Sequence, residues 1–130
     1  MDVTVQEQIR TNAELVIKQL GQISDIENFG YNLESVAWVD GFIERQRNRP
    51  DFSQDSIDRL VQNLGSFIGE CIIACYGGAW QHEEGTWAVA FNQNNFVFPF
   101  NKVRKQFVSG SEDSIRSFFE MIPILYAQYL

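Results

Sequence analysis

The sequence has few of the residues on which most catalytic and metal sites depend. Its 130 residues include one histidine and two cysteines. His82 is therefore the sole imidazole that could serve as a general base or metal ligand, and no G-x-S-x-G, G-x-G-x-x-G or G-x-x-x-x-G-K motif accompanies it. These absences argue against common hydrolase, dinucleotide-binding and phosphate-binding classes. We expect no cofactor and no metal site, and the residue content favours a protein that is not an enzyme.

Positive charge is also scarce. The chain has 10 Lys and Arg residues and 17 Asp and Glu residues, which give a net charge of −7. An excess of negative charge favours solubility and opposes binding to nucleic acids or anionic membranes. No apolar run reaches the ~18 residues needed to span a bilayer. The N-terminal residues are polar and acidic, unlike a signal peptide. We therefore predict a cytoplasmic protein that binds neither nucleic acid nor membrane.

The residues that are abundant predict an ordered fold. Apolar residues make up 45% of the chain and include eleven Phe, four Tyr and three Trp, which is typical of a packed core rather than of disorder. The length is that of one domain, and we expect residues 1–130 to form it.

Between Ser53 and Tyr76, apolar residues recur at steps of three and four, which predicts one long helix. Ser53 is the predicted N-cap, and Gly77-Gly78 the C-terminal stop. Gly65 and Gly69 lie on one stripe of this helix. Because a glycine inside a helix costs about 1 kcal/mol relative to alanine, the stripe predicts that another element approaches closely there.

The two cysteines, Cys71 and Cys75, lie one turn apart on the apolar side of this helix. Adjacent turns do not readily provide disulfide geometry, and two cysteines without further ligands do not form a zinc site. We predict that both are buried, free thiols that do not react in the folded protein.

After the helix, alternating side chains predict a three-stranded antiparallel meander. A three-residue turn at 83–85, with Gly85 left-handed, would pair His82 with Thr86 and place Trp80 over Ala88. A four-residue turn at 92–95 would then form an aromatic ladder that pairs Phe91 with Phe96, Val89 with Phe98, and Trp87 with Phe100.

Helices are predicted on both sides of this central part, at 4–20, 31–47 and 102–107, with a further helix from Ser111 onward. Gly21 should end the first helix, and Asn101 and Ser111 should cap the last two. Pro123 should kink or interrupt the last one. The predicted class is therefore α+β, with helices at both ends and the long central helix packed on the small meander.

The tail at 124–130 is apolar and carries no charged side chain. Two interpretations remain open. The tail either folds under the domain or forms the contact surface of a homodimer.

Four short motifs resemble those of a family of small bacterial domains of unknown function. They are L-G-x-x-x-G-E at 64–70, G-G-x-W at 77–80, F-P-F-x-K-V at 98–103 and D-S-I-x-S-F-F at 113–119. The motifs cover less than half of the chain and consist of glycines, aromatic residues and caps. The resemblance implies a bacterial origin but no activity, cofactor or catalytic residue.

Two classes of function fit these observations. The favoured one is a protein-binding or regulatory module, either an inhibitor or immunity-type protein for a basic partner or an oligomeric scaffold. Residues 1–60 hold eleven of the seventeen acids, which would attract a basic partner. The alternative is a small-molecule enzyme or ligand-binding domain with a site near Glu70, Trp80 and His82.

Overall fold

The computed structural model describes residues 4–130 and confirms the α+β class. Helices lie at both ends, and the longest helix lies between them. In these residues there are five α-helices and one three-stranded antiparallel sheet: α1 (Val5–Ser24), α2 (Leu33–Arg47), α3 (Gln54–Tyr76), β1 (Ala79–Glu83), β2 (Thr86–Asn92), β3 (Asn95–Val97), α4 (Pro99–Ser109) and α5 (Ile115–Leu125). Short 3-10 turns follow α4, at Gly110–Asp113, and α5, at Ala127–Tyr129.

Helix α3 forms the centre of the hydrophobic core. Ser53 caps it as predicted, since its hydroxyl accepts a hydrogen bond from the Ser56 N–H, and Gly77 ends it with a φ of +94°. Every residue from Leu64 to Gly69 is buried, because α1 and α4 both pack along α3. A helix covered on more than one side is expected to lose its polar face.

The glycine stripe marks the closest approaches to α3, as predicted. The indole of Trp80, from β1, lies directly against Gly69, and the ring of Phe100 lies against Gly65. A β-carbon at either glycine would overlap these rings. The first contact joins α3 to the sheet, whereas the second joins α3 to α4.

The first hairpin differs from the predicted register by one residue. His82 pairs with Trp87 and Trp80 with Val89, so the predicted His82–Thr86 and Trp80–Ala88 pairs are wrong. The turn has two central residues rather than three, Glu84 and Gly85, with φ values of 51° and 79°. Two successive positive φ angles suit the tight turn that matches strand twist.

The second hairpin also closes on two residues, and the aromatic ladder does not form. Val89 pairs with Val97, Ala90 with Phe96 and Asn92 with Asn95, with an irregularity at Phe91, so the predicted Phe91–Phe96, Val89–Phe98 and Trp87–Phe100 pairs are wrong. The side chain of Asn92 accepts a hydrogen bond from the Asn94 N–H and stabilises the shorter turn.

The sheet stops at Val97 because Pro99 starts α4. Proline suits the first turn of a helix, since its φ is already helical and its missing N–H would have no partner there. Phe98 therefore becomes the N-cap of α4, and Phe100 points into α3 from the helix. The prediction that Asn101 caps this helix is wrong.

Three other helix boundaries differ from the sequence prediction. Helix α1 continues past Gly21 and ends where Asp25 adopts a left-handed conformation. Helix α5 is capped by Ser114 rather than Ser111, which lies in the 3-10 turn. It also continues through Pro123 to Leu125, because the lost proline N–H falls in its last turn and removes a single intrahelical hydrogen bond.

Candidate functional site

Two of the three candidate site residues lie together. The indole Nε1 of Trp80 donates a hydrogen bond of 2.8 Å to Oε2 of Glu70. The ring is held between Gly69 and Phe100, whose ring centroid lies 5.7 Å away. One carboxylate oxygen of Glu70 is thus used to fix β1 on α3, which is a structural role.

Tyr31 belongs to the same neighbourhood, although no sequence pattern pointed to it. Its ring lies 5.8 Å from that of Phe67 on α3. Burial, together with the negative charges of Glu70 and Glu14, raises the pKa of Tyr31 to about 12. The phenol of Tyr31 therefore stays protonated to a higher pH than that of a free tyrosine.

His82 forms no hydrogen bond with this pair in the described residues, although it lies two residues from Trp80 on β1. It is exposed on β1, with its ring edge-on to that of Trp87 at a centroid distance of 5.6 Å. Within the described residues, no hydrogen bond joins His82 to Glu70. Acid–base cooperation would require His82 and Glu70 to lie within hydrogen-bonding reach of each other, and the described residues show no such contact.

The two cysteines differ in environment, contrary to the prediction that both are buried. Cys71 is fully buried, and burial raises the pKa of its thiol well above the ordinary value. Cys75 is exposed, although partial burial still raises the pKa of its thiol. Its Sγ lies 3.4 Å from the carbonyl oxygen of Tyr31.

An exposed apolar face lies on α5 and the residues that follow it. We define the α5 surface as Phe118, Met121, Ile124, Leu125 and Tyr126. Met121, Ile124 and Leu125 are 47%, 75% and 58% exposed. They lie three and four residues apart, so they share one side of the helix.

A groove of about 280 Å³ runs along the α5 surface. Val97 and Ile122 contribute to its apolar lining, and Lys102 lies at its edge. The ammonium of Lys102 is 3.2 Å from the carboxylate of Asp113 and 5.9 Å from the ring centroid of Phe118. Glu112, Ser114 and Ser117 also line the groove, which therefore combines a largely apolar lining with a few polar side chains and a cation that is already paired.

Polar contacts with α2 and α4 hold α5 in place. Oδ2 of Asp40 accepts hydrogen bonds from the hydroxyl of Ser114 and from the N–H of Arg116 at 3.0 Å. The buried side chain of Gln106 accepts a hydrogen bond from the Ile115 N–H at 2.9 Å and donates to the Asp40 carbonyl and to Glu44. The first turn of α5 is thus capped by residues from two other helices.

Charge is unevenly distributed along the chain. Residues 98–130 contain four basic and three acidic side chains, a net charge of +1, whereas residues 1–97 contain six basic and fourteen acidic ones, a net charge of −8. Four of these acids, Glu14, Asp25, Glu27 and Glu34, are exposed and form no ion pair within residues 4–130.

Among residues 4–130, no helix is both long and apolar enough to cross a membrane, and no three His, Cys, Asp or Glu side chains are grouped to hold a metal ion. No protein-family model matches the sequence, and no curated protein or solved structure shows significant similarity to it. The resemblance to a family of small bacterial domains therefore stays a prediction.

Proposed function

We propose that this protein is a protein-binding module that acts as a homodimer, in which the α5 surface of one copy packs against that of another. The observation that carries this proposal is the exposure of Met121, Ile124 and Leu125 on one helix side. Contiguous exposed apolar side chains are typical of protein interaction sites.

Charge favours a second copy as the occupant of this surface. The α5 surface belongs to the C-terminal quarter of the chain, which is nearly neutral, so two copies can approach there without bringing their acidic parts together. Arg116 and Glu120 form an exposed ion pair of 2.9 Å beside it. In a symmetric interface, each could pair with its opposite in the other copy.

Dimerisation through α5 would leave the acidic residues of α1, α2 and their connector free for a second contact. Exposed carboxylates without ion-pair partners attract a basic protein and speed its association, more strongly at low salt. This arrangement fits an inhibitor or immunity-type module that binds a basic protein, built on a dimeric scaffold.

The self-association step is tested with Ile124→Glu, which places a charge on the α5 surface. Light scattering should give the wild-type protein twice the 15.0 kDa chain mass, and the variant the mass of one chain. Circular dichroism should show that the variant remains folded, since Ile124 is 75% exposed. Val108→Glu is the matched control, because Val108 is 74% exposed on α4, and this variant should remain dimeric. A monomeric wild-type protein, or a dimeric Ile124→Glu variant, would contradict the proposal.

The partner is sought by affinity purification from the native host at low and at high salt, followed by mass spectrometry. We expect a basic protein that is recovered at low salt and lost at high salt. The triple variant Asp25→Asn, Glu27→Gln, Glu34→Gln should recover less of it. If no protein co-purifies but a metabolite raises the melting temperature, the binding-module proposal is wrong, and Glu70 and His82 become the first residues to mutate.

A further inference from the structure

A second groove, of about 220 Å³, lies between α1, α3 and the turn that joins β1 to β2. None of its ten lining residues carries a charge, in a chain of which 21% is charged. Its polar side chains are those of Gln8, Asn12, Gln62, Ser66 and Thr86, and its main aromatic wall is the indole of Trp87. Three separate elements therefore bring neutral amides, hydroxyls and an indole to one place.

Much of the hydrogen-bonding capacity of these side chains is unused. Nε2 of Gln8 donates to Oδ1 of Asn12 at 3.0 Å, which leaves the carbonyl oxygen of Gln8 and the NH₂ group of Asn12 available. The amide of Gln62 and the hydroxyl of Thr86 form no side-chain hydrogen bond within the described part of the chain. The groove thus offers interleaved donors and acceptors.

Two aromatic side chains form part of the apolar lining of the groove, together with Val5 and Ile9. Trp87 is half-buried, and its indole N–H has no hydrogen-bond acceptor among residues 4–130. Phe100 also lines the groove and is fixed against Gly65 of α3. An aromatic wall beside a polar rim suits a ligand with one apolar face and polar edges.

We propose that this groove binds one neutral sugar ring of a saccharide. A sugar hydroxyl both donates and accepts, which matches side-chain amides better than charged groups, and the C–H face of the ring can lie on the indole of Trp87. The net charge of −7 disfavours anionic ligands such as sugar phosphates. The volume equals that of about seven water molecules at ~30 Å³ each, which limits the ligand to about one ring.

This site uses none of the residues of the α5 surface, so it is tested independently of dimerisation. The probes are glucose, galactose, mannose and N-acetylglucosamine, with adenosine as a neutral aromatic comparison and gluconate as an anionic one. The signal is the NMR resonance of the Trp87 indole N–H, assigned with Trp87→Phe. We expect at least one of the four sugars to shift it saturably, and high salt to leave the affinity unchanged because no charged group takes part.

Asn12→Ala and Gln62→Ala should each weaken this binding about three- to tenfold, the effect of losing one hydrogen bond. Both side chains lie at the surface of their helices, so the spectra of these variants should otherwise match that of the wild-type protein. Gln22→Ala is the control, since Gln22 is an exposed residue of α1 outside the groove. The proposal is overturned if none of the four sugars gives a saturable shift, if only adenosine or gluconate does, or if the shift is unchanged in both groove variants.

Discussion

At the scale of single residues, the two cysteines of α3 provide a direct test of where the core ends. Cys75 should react with a thiol reagent in the native protein, and Cys71 only after unfolding, because the reagent must reach the thiol and the reactive form is the thiolate. The reaction of Cys75 should be slow near neutral pH and faster as the pH rises, since its thiol pKa is raised. In Cys75→Ser no thiol should titrate natively and one should titrate in denaturant. Two native thiols would show that α3 is less well covered than the structure indicates.

Tyr31 should make the stability depend on pH in the alkaline range. Its pKa is about 12 in the folded protein against 10.0 for a free tyrosine, so folding favours the protonated phenol. This contribution is fully present below pH 10 and is lost as the pH rises from 10 to 12. Urea unfolding of Tyr31→Phe should therefore show a smaller loss of stability over this range than the wild-type protein. Tyr129→Phe, at an exposed position, is the control, and an equal pH dependence for all three proteins would refute the assignment.

Gly69 should tolerate no large side chain. Gly69→Leu would drive a side chain into the indole of Trp80, and we expect a loss of roughly 3 kcal/mol, at the upper end of overpacking effects, even after a gain of about 1 kcal/mol in helix propensity. Gly30→Ala is the control, because the nearest atom to its new β-carbon would be 3.9 Å away. Thermal unfolding of the two variants and of the wild-type protein measures both changes in stability. A stability loss of this size implies a fall in melting temperature of well over ~2 °C. If the Gly69→Leu protein melts within about 2 °C of wild type, Trp80 must move aside freely.

At the scale of elements, Gln106 couples α5 to α2 and α4. Gln106→Leu would replace the amide by an apolar side chain of similar size and leave the buried Ile115 N–H without an acceptor, at a cost of about 1–3 kcal/mol. Relative to the wild-type protein, this variant should show faster amide hydrogen exchange in the first turn of α5 and little change in α3. Gln19→Leu, at an exposed position of α1, should change neither the stability nor the rate of hydrogen exchange in α5. Unchanged exchange in α5 would show that Asp40 and Ser114 suffice to hold it.

The elements themselves could be predicted from sequence to different degrees. Helix α3 was predicted almost to the residue because its periodicity, its cap at Ser53 and its stop at Gly77 agree. The first hairpin was displaced because its turn length depends on whether Glu84 takes a positive φ, which its side chain does not reveal. The second was displaced because the Asn92 side chain stabilises a shorter turn than the one predicted. Residues 98–100 were predicted to pair in the sheet, with the next helix starting at 102, because the ability of Pro99 to begin a helix was missed.

The surroundings of Glu70 were predictable only in part. Trp80 follows Glu70 by ten residues across one helix end, so their proximity follows from the local fold. Tyr31 and Gln106 find their partners across distant parts of the chain, and such contacts follow from tertiary packing rather than from any local pattern. The apolar character of the tail is evident from the sequence, whereas its exposure depends on where Pro123 and Tyr126 place it.

At the scale of the whole molecule, removal of residues 124–130 distinguishes a contact surface from a core. We expect a folded monomer, because Ile124 and Leu125 are exposed, with reduced stability because Tyr126 packs 5.2 Å from Phe91. Light scattering gives the mass, and circular dichroism the helix content. An aggregated or unfolded product would show that the tail is needed for folding itself.

The contact between Asp40 and α5 also has a consequence for synthesis of the chain. Asp40 and its partner Ser114 are separated by 74 residues, and α1 to α4 emerge from the ribosome before Ser114 does. Until Phe119 and Ile122 follow, Tyr76 lacks the ring that packs 4.9 Å from it, and part of the apolar core stays uncovered. N-terminal parts generally fold first during translation, and exposed apolar surface in such intermediates is what chaperones bind. A stalled nascent chain of which the residues up to about 110 have emerged from the ribosome should therefore be a chaperone substrate, and one of which Ile122 has also emerged should not.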